Sequence, residues 1–343
     1  MLKSYLLHID QIVQETQDCI SLHFKQPSLD RIWYKAGQYL TFRFEIEGKE
    51  YIRSYSLSTA PRLDETLAVT VKAVKGGIVS NFLLDKAYPG MEMEASRPLG
   101  RFFIENSVKA HRHIVLMGAG SGITPLYAIL RSTLFNEPQS QVNLFYANRE
   151  PSTVIFRDEL ARLERIFEGR FRFAERFSQT QGRATAETIE NFVQQLAAPD
   201  QCSFFLCGPD AWMQMVNEGL KRSRIAAENI YQESFTIPEK EQKAQLPASG
   251  PAREVEVQVG HQKLSYKVPA GTTILDAGLA QGLEIPHSCK AGTCAACMGR
   301  ILSGKISMDN NEALLEFEVE QGKVLVCQSH PETDDVKIRI GWT

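Results

Sequence analysis

Four cysteines near the carboxyl end of the chain constrain its fold more than any other feature. Cys289, Cys294 and Cys297 form a C-x4-C-x2-C run, and Cys327 follows further downstream. In a chain with so few cysteines, two fixed offsets from a given cysteine arise by chance on the order of once in a few thousand trials. The spacing is that of plant-type [2Fe-2S] clusters, in which four thiolates hold two irons. These four cysteines are therefore the candidate metal ligands.

The residues between these cysteines suit the same chemistry. Ala291, Gly292, Ala295 and Ala296 are small, so backbone N–H groups can approach the sulfurs and hydrogen-bond to them. A strand predicted at 323–327 would bring in the fourth cysteine. A structural zinc site is the alternative, but it usually pairs two short C-x2-C units, and only one is present. Four ordinary buried thiols are disfavoured, because the run is small and polar rather than apolar.

The bulk properties exclude several classes of protein. A length of 343 residues indicates two or three domains. A formal net charge of -3 gives no basic surface for nucleic acid. No stretch approaches 18 uninterrupted apolar residues, so no membrane span is predicted. Residues 1–10 lack the features of a signal peptide, and the odd cysteine count argues against a disulfide framework. We therefore expect a cytoplasmic protein.

The pattern of the chain changes at about residue 110. Before it, short alternating segments at 39–46, 51–58 and 67–74, separated by glycines, predict an antiparallel barrel. After it, apolar strands alternate with helices, which predicts a parallel sheet. The strands are expected at 113–117, 141–146 and 203–207, and the helices at about 125–135, 152–167 and 210–223.

A polar, proline-punctuated stretch from 237 to 253 predicts a linker. A third unit follows it. Strands at 255–259 and 264–268 form a predicted hairpin, and a helix is expected at 273–281 with Thr272 or Thr273 as its cap.

The tetrapeptide Arg53-Ser54-Tyr55-Ser56 carries the groups that a flavin needs. Tyr55 offers an aromatic face, Ser56 a hydroxyl for the reactive edge, and Arg53 a cation for phosphate. Alternation places Ser56 on the opposite face from the other two, so the strand must bend or end there. The alternative is an exposed arginine and a core tyrosine.

Glycines ahead of a predicted helix suit the flavin pyrophosphate. Gly76-Gly77 precede a helix expected at 81–85, and a helix N-terminus attracts phosphate. The alternative is a plain turn with Ser80 as the helix cap. The candidate contacts of this region are Lys72, Gly77, Val79 and Ser80.

A second glycine-rich loop lies between an apolar strand and a helix, the context that makes such a loop informative. It reads Gly118-Ala-Gly-Ser-Gly-Ile-Thr-Pro125, and its candidate nucleotide contacts are Gly120, Ser121 and Gly122. Cys207-Gly208-Pro209 repeats the arrangement after a later strand, and both loops are expected at the carboxyl edge of the sheet. Cys207 as a small buried residue is the alternative.

Asn148 and Arg149 follow the strand predicted at 141–146. No acidic residue stands there to bind ribose hydroxyls, whereas a cation could meet a 2′-phosphate. This favours NADPH over NADH. The alternative is a solvated surface arginine.

Taken together, these motifs resemble the ferredoxin–NADP reductase superfamily over essentially the whole chain. More narrowly, the chain is similar to reductases with flavin, nicotinamide and ferredoxin domains in that order, including the reductase subunits of phenylacetyl-CoA epoxygenases. The motifs that carry the resemblance are Arg53–Ser56, Gly118–Pro125, Tyr146–Arg149, Cys207–Pro209, Glu233–Phe235 and the four cysteines. One departure is Ala36 before Gly37-Gln38, where the family often has proline.

The resemblance implies a multidomain protein. Its expected parts are an FAD-binding antiparallel β-barrel at 1–107, an NAD(P)-binding Rossmann-like α/β parallel sheet at 108–237, a linker at 238–252 and an α+β β-grasp [2Fe-2S] ferredoxin domain at 253–343. FAD is favoured over FMN. The resemblance also places Thr124, Cys207 and Phe235 around the nicotinamide, with a core position as the alternative for Phe235.

The function implied is electron transfer from NAD(P)H through a flavin to the cluster, and then to an oxygenase or another redox-protein acceptor. No acid–base residue is obligatory in this scheme. A ring-hydroxylating or steroid-hydroxylating oxygenase is an alternative client. A non-catalytic redox or metal-binding protein is the alternative from another class.

Overall fold

The computed structural model describes residues 4–26, 31–235, 250–260, 262–287, 289–292, 296–311, 313–314 and 316–340. The predicted linker up to residue 249, Cys294 and Ala295 therefore lie outside the described residues. The chain divides into two compact units, one of residues 5–235 and the other containing the described residues from 250 onward. Within the described ranges, no helix has the length and apolar character needed to cross a membrane.

The first part of the larger unit is an antiparallel sheet that nearly closes on itself. Its strands follow the order β4-β3-β6-β1-β2-β5, and a bridge between Leu57 and Val69 brings the two outer strands together. The alternating apolar residues point inward, and Phe24 stacks on Phe42 with ring centroids 5.7 Å apart. The antiparallel barrel is thus confirmed. Its elements are β1 (Ser4–Thr16), β2 (Cys19–Phe24), β3 (Tyr39–Ile46), β4 (Lys49–Ser56), β5 (Leu67–Lys72), α1 (Ile78–Lys86) and β6 (Glu92–Ser96).

The second part of this unit is a five-stranded parallel sheet in the order β11-β10-β7-β8-β9, as the alternation of strands and helices predicted. The helices cover both faces and bury the apolar strands. Its elements are β7 (His113–Ala119), α2 (Ile123–Asn136), β8 (Gln141–Asn148), α3 (Arg157–Ile166), β9 (Phe171–Phe177), α4 (Ser178–Gln181), α5 (Ala186–Val193), β10 (Cys202–Gly208), α6 (Asp210–Arg222) and β11 (Ile230–Ser234).

The helix predicted at 152–167 is longer than the observed helix α3. A short 3-10 turn occupies Pro151–Thr153, and α3 begins only at Arg157. Phe156 interrupts the helix because its φ of 59° lies in the left-handed region. The buried ring of Phe156 stacks on Tyr127 at 4.2 Å, and this tertiary contact accompanies the unusual backbone.

One apolar core joins the barrel to the parallel sheet. Cys19, Phe102 and Ile104 of the barrel region belong to the same buried cluster as the residues of α2. At the edge of this cluster Arg131 donates two hydrogen bonds to Asp64, at 2.7 and 2.8 Å. The barrel and the parallel sheet are therefore packed as one body rather than as loosely linked domains.

The smaller unit contains a mixed sheet in the order β13-β12-β18-β14-β16 and a two-stranded sheet of β15 and β17. The predicted cap of α7 is Thr273, whose hydroxyl accepts the Asp276 N–H at 3.1 Å. The helix packs on the sheet, as a β-grasp fold requires. The elements are β12 (Arg253–Val259), β13 (Gln262–Val268), α7 (Ile274–Ala280), β14 (Met298–Ser303), β15 (Ile306–Met308), α8 (Glu316–Glu320), β16 (Lys323–Leu325), β17 (Ser329–Pro331) and β18 (Val336–Ile340).

Candidate redox-cofactor sites

The predicted flavin residues lie at the end of β4. This strand ends at Ser56, as the alternation required. Tyr55 packs against Phe42 with ring centroids 6.2 Å apart, and burial raises the pKa of its phenol above the ordinary value. The phenol is therefore neutral and keeps its hydroxyl proton as a donor. Arg53 is half-buried and Ser56 is buried, so the side chains combine an aromatic face, a hydroxyl and a cation.

The start of α1 suits a pyrophosphate better than a plain capped turn. Gly77 is the residue before the helix, and no side chain caps the first turn. Ser80 lies within the helix, where its hydroxyl accepts the Val74 N–H at 3.1 Å. A Cβ on Gly77 would lie 2.7 Å from that hydroxyl, so only glycine fits without a shift. Because uncapped N–H groups at a helix start attract phosphate, the local backbone fits this group.

Two further candidates of this region have other contacts. The Val79 side chain is 2% exposed and lies in the barrel core, so only its backbone can face a ligand. Lys72 forms an ion pair with Asp18 at 3.5 Å.

The two glycine-bearing loops meet at the carboxyl edge of the parallel sheet, as the sequence predicted. We call the segments 118–122 and 207–209 the nicotinamide edge, because the sequence analysis predicts that the nicotinamide nucleotide binds there. A Cβ on Gly122 would lie 2.1 Å from the carbonyl oxygen of Cys207, which leaves no room for any side chain. The loop is further fixed by Tyr146, whose hydroxyl donates to the Gly120 carbonyl at 2.8 Å, and by Thr124, which donates to the Ser121 carbonyl.

One buried donor beside this edge has no hydrogen-bond partner among the described residues, Nε1 of Trp212 in the first turn of α6. Asn148, at the end of β8, is also buried, and its amide is directed at the Tyr146 hydroxyl. Unpaired buried donors are uncommon in native proteins and call for a ligand or a water. Asn148 was predicted from the sequence, whereas Trp212 was missed. The Trp212 ring lies directly against the nicotinamide edge, because a Cβ on Gly208 would be 2.6 Å from it.

Arg149 stands just beyond Asn148 with an exposed side chain. Its carbonyl accepts the Gln179 N–H at 3.0 Å, which ties the segment after β8 to α4. The guanidinium of Arg176, at the end of β9, donates to the Gly182 carbonyl at 3.2 Å. Two arginines therefore stand at neighbouring strand ends.

Glu233, which the sequence analysis named only within the Glu233–Phe235 motif and gave no role, links the parallel sheet to the barrel. Ser56 donates to its Oε2 at 3.3 Å, and strand register places Glu233 opposite Cys207. Burial raises the pKa of the Glu233 carboxyl from 4.5 to about 8. Burial, and then Glu233 itself, raise the pKa of the Cys207 thiol. Cys207 is therefore a buried neutral thiol. Phe235 follows β11 and is 43% exposed, which does not fit the core position considered for it.

Three of the four predicted metal ligands can be described, and they converge. Cys289, Cys297 and Cys327 are all at least nine-tenths buried. The pKa of the Cys327 thiol is lowered, first by a hydrogen bond with Cys297 and further by the backbone N–H of Gly292, while burial opposes this. The Ala291 N–H donates to the sulfur of Cys289 at 3.3 Å. Converging thiols with N–H donors around them fit a [2Fe-2S] cluster.

Two details of this centre qualify the sequence analysis. The strand predicted at 323–327 ends at Leu325, so Cys327 lies in the turn that follows. That turn is closed by Gln328, whose N–H donates to the Leu325 carbonyl at 2.9 Å. Within the described residues, no three His, Cys, Asp or Glu side chains are grouped to hold one metal ion. A two-iron cluster divides four thiolates between its irons, and the fourth, Cys294, is outside this description.

Three family models match successive parts of the chain. They are an oxidoreductase FAD-binding domain at residues 7–104, an oxidoreductase NAD-binding domain at 116–218 and a 2Fe-2S iron-sulfur cluster binding domain at 257–332.

Characterised relatives match the chain from end to end. The ferredoxin reductase component of 3-ketosteroid-9-alpha-monooxygenase from Mycobacterium tuberculosis is 34% identical over 97% of this chain and 94% of its own. A component of the 1,2-phenylacetyl-CoA epoxidase from Escherichia coli is 32% identical over 97% of this chain and 96% of its own. The chain belongs to this family of flavin- and nicotinamide-dependent reductases with a C-terminal [2Fe-2S] domain. The sequence-based recognition is thus confirmed.

Solved structures agree on the fold. Phthalate dioxygenase reductase superposes with a TM-score of 0.61 at 20% identity, over 99% of this chain and 98% of its own. An intact type IV self-sufficient cytochrome P450 monooxygenase gives a TM-score of 0.75 at 18% identity, over 98% of this chain and 41% of that longer chain. The protein is an NAD(P)H-dependent oxidoreductase whose cofactors are FAD and a [2Fe-2S] cluster.

Proposed function

We propose that this protein is the cytoplasmic reductase component of an oxygenase, drawing electrons from NADPH. The observation that supports it most directly is the Ser56–Glu233 hydrogen bond, which joins the end of β4, where we place the flavin, to β11 beside the nicotinamide edge. When bound, the flavin supplies hydride acceptance from a nicotinamide and single-electron release to a [2Fe-2S] centre. The chain's residues orient these groups and exclude water between them. The relatives named above belong to a steroid monooxygenase and to an epoxidase, so both client types enter the proposal.

The residue assignments belong to the same proposal. Arg53, Tyr55 and Ser56 hold the flavin ring system, and the backbone from Gly77 to Ser80 holds its pyrophosphate. The nicotinamide edge and Thr124 hold the dinucleotide, and Phe235 covers the flavin. Cys289, Cys294, Cys297 and Cys327 ligate the irons. The proposed domain limits remain 1–107, 108–237 and 253–343, with the linker at 238–252.

The visible spectrum of the purified protein, before and after NADPH under anaerobic conditions, tests the proposal. Overlapping flavin and iron–sulfur bands that bleach on NADPH are expected. A colourless protein would indicate the zinc alternative, and bands that NADPH does not bleach would indicate a non-catalytic redox protein. Turnover with purified steroid-hydroxylating and epoxidising oxygenases then distinguishes the clients, and failure with both would contradict the oxygenase assignment.

Arg149 is expected to select NADPH over NADH. Its exposed guanidinium, just beyond the end of β8, can meet a 2′-phosphate, and such a charged hydrogen bond contributes about 1.5–3 kcal/mol. Replacement by alanine should raise the KM for NADPH by about 10-fold or more and leave that for NADH unchanged. Steady-state kinetics with an artificial acceptor measure both. Arg165→Ala, on the exposed side of α3, is the control, and equal effects on both dinucleotides would contradict the assignment.

Glu233 is expected to make flavin reduction depend on pH. Below pH of about 8 its carboxyl is protonated, and above it the carboxylate can stabilise positive charge on a nicotinamide ring. The rate of reduction should therefore rise through this pH, by about 10-fold for about 1.4 kcal/mol. Glu233→Gln stays neutral and should keep the lower rate throughout. Anaerobic stopped-flow measures the rates, with the exposed Glu228→Gln as control. The same inflection in Glu233→Gln would assign it to another group.

A further inference from the structure

Two amide side chains hydrogen-bond to the backbone of the described part of the cysteine run, residues 289–292, which we call the cysteine loop. Gln328 Nε2 donates to the carbonyl oxygen of Lys290 at 2.8 Å. Asn310 Nδ2 donates to the carbonyl oxygen of Ala291 at 2.9 Å. Both segments lie directly against the loop, since a Cβ on Gly292 would be 2.8 Å from the Asn310 carbonyl oxygen and 3.1 Å from Cγ of Gln328.

These two contacts orient the N–H groups of Ala291 and Gly292, because each carbonyl shares a peptide unit with one of them. In a trans peptide unit the C=O and the following N–H point in opposite directions. The Lys290 carbonyl shares its peptide unit with the Ala291 N–H, which donates to the sulfur of Cys289 at 3.3 Å. Hydrogen bonds therefore fix both polar groups of this peptide unit, the carbonyl to Gln328 and the N–H to Cys289.

The next peptide unit repeats the arrangement. The Ala291 carbonyl, held by Asn310, shares its unit with the Gly292 N–H, which hydrogen-bonds to Cys327. Gln328 contributes a second time, because its Nε2 lies 3.8 Å from the sulfur of Cys327. Each amide side chain therefore fixes the peptide unit whose N–H hydrogen-bonds to a ligand cysteine, and the cysteine differs between the two.

We propose that Gln328 and Asn310 are positioning residues that raise the reduction potential of the [2Fe-2S] cluster by aiming these N–H groups at its thiolates. Hydrogen bonds to the sulfurs stabilise the reduced cluster, which carries one more negative charge. The inference rests on the proposed assignment of the four cysteines as cluster ligands. It adds two residues that do not touch the irons and that no cysteine motif includes.

Redox titration of the full-length protein, followed by the electron paramagnetic resonance of the reduced cluster, tests this. Dithionite supplies the one electron that each cluster accepts. Gln328→Met and Asn310→Leu remove the amides while keeping similar volume, and each should lower the midpoint potential. The double variant should lower it further. Gln281→Met is the control, because this exposed amide hydrogen-bonds to the Lys267 and Ala277 carbonyls, at 3.4 Å, rather than to the cysteine loop, and the potential of this variant should equal that of the native protein.

Unchanged potentials in both single variants would overturn the inference. Absence of a [2Fe-2S] signal in the native protein would contradict the cysteine assignment instead, so the two failures are distinguishable. If Gln328→Met loses its iron, Gln328→Asn takes its place, since its amide is one methylene too short to reach Lys290. A native potential in that variant would equally overturn the inference. After exchange into deuterated water, deuterium couplings to the reduced cluster should weaken in each variant and not in the control.

Discussion

Cys327→Ala is expected to abolish the iron–sulfur centre and leave the flavin half of the enzyme working. Cys327 is 4% exposed and contacts Cys297, so its loss removes one of four thiolates from a buried site. A cluster of this type needs all four ligands. The proposed flavin residues lie in the other compact unit, whose core does not include this cysteine.

The measurements are iron content, visible absorption and two acceptor assays. Iron and its absorption bands should disappear, and reduction of cytochrome c through the cluster should fall to background. Reduction of ferricyanide, which takes electrons from flavins directly, should persist. Cys202→Ala is the matched control, because Cys202 is equally buried but lies in β10, where its thiol approaches the Ala197 and Ala198 carbonyls and packs in the core of the parallel sheet. Retention of the cluster in Cys327→Ala would place its fourth ligand elsewhere.

The parts of this protein that the sequence predicted are those encoded by local pattern. The cysteine spacing, the alternation in β3 and the glycines after β7 each arise within a few residues. Their physical causes are equally local: the reach of thiolates, the two faces of a strand, and the absence of a Cβ at a close approach. Fold class and cofactors could therefore be predicted together.

What the sequence did not reveal depends on contacts between distant segments. Ser56 and Glu233 are 177 residues apart, and only packing of the barrel against the sheet brings them together. Trp212 likewise becomes notable only once Gly208 is seen against its ring. Gln328 and Asn310 belong to no motif, because a side-chain amide can reach a backbone carbonyl from many positions in the sequence and so requires no fixed spacing. The break before α3 is tertiary too, since the left-handed Phe156 is buried against Tyr127.

Gly122→Ala should reduce the use of NAD(P)H by about 100-fold, because a shift of about 1 Å in a positioning segment can cost that much. The added methyl group would lie 2.1 Å from the carbonyl oxygen of Cys207 and 2.8 Å from the Gly208 nitrogen. Both are backbone atoms, so the two loops of the nicotinamide edge must move apart. This separates the start of α2 from β10 at the place where we expect the dinucleotide to lie.

Gly120→Ala isolates the steric effect within the same loop. Nothing lies within 4 Å of a Cβ at Gly120, although its φ of 53° makes alanine cost about 1–2 kcal/mol. Rapid anaerobic reduction of the flavin across a range of NADPH concentrations compares the two variants, and flavin and iron contents show that each is loaded. We expect native cofactor content in both, with a large loss of rate and affinity only in Gly122→Ala. Equal losses in the two variants would mean that backbone conformation, rather than the close approach of the two loops, controls how the dinucleotide is held.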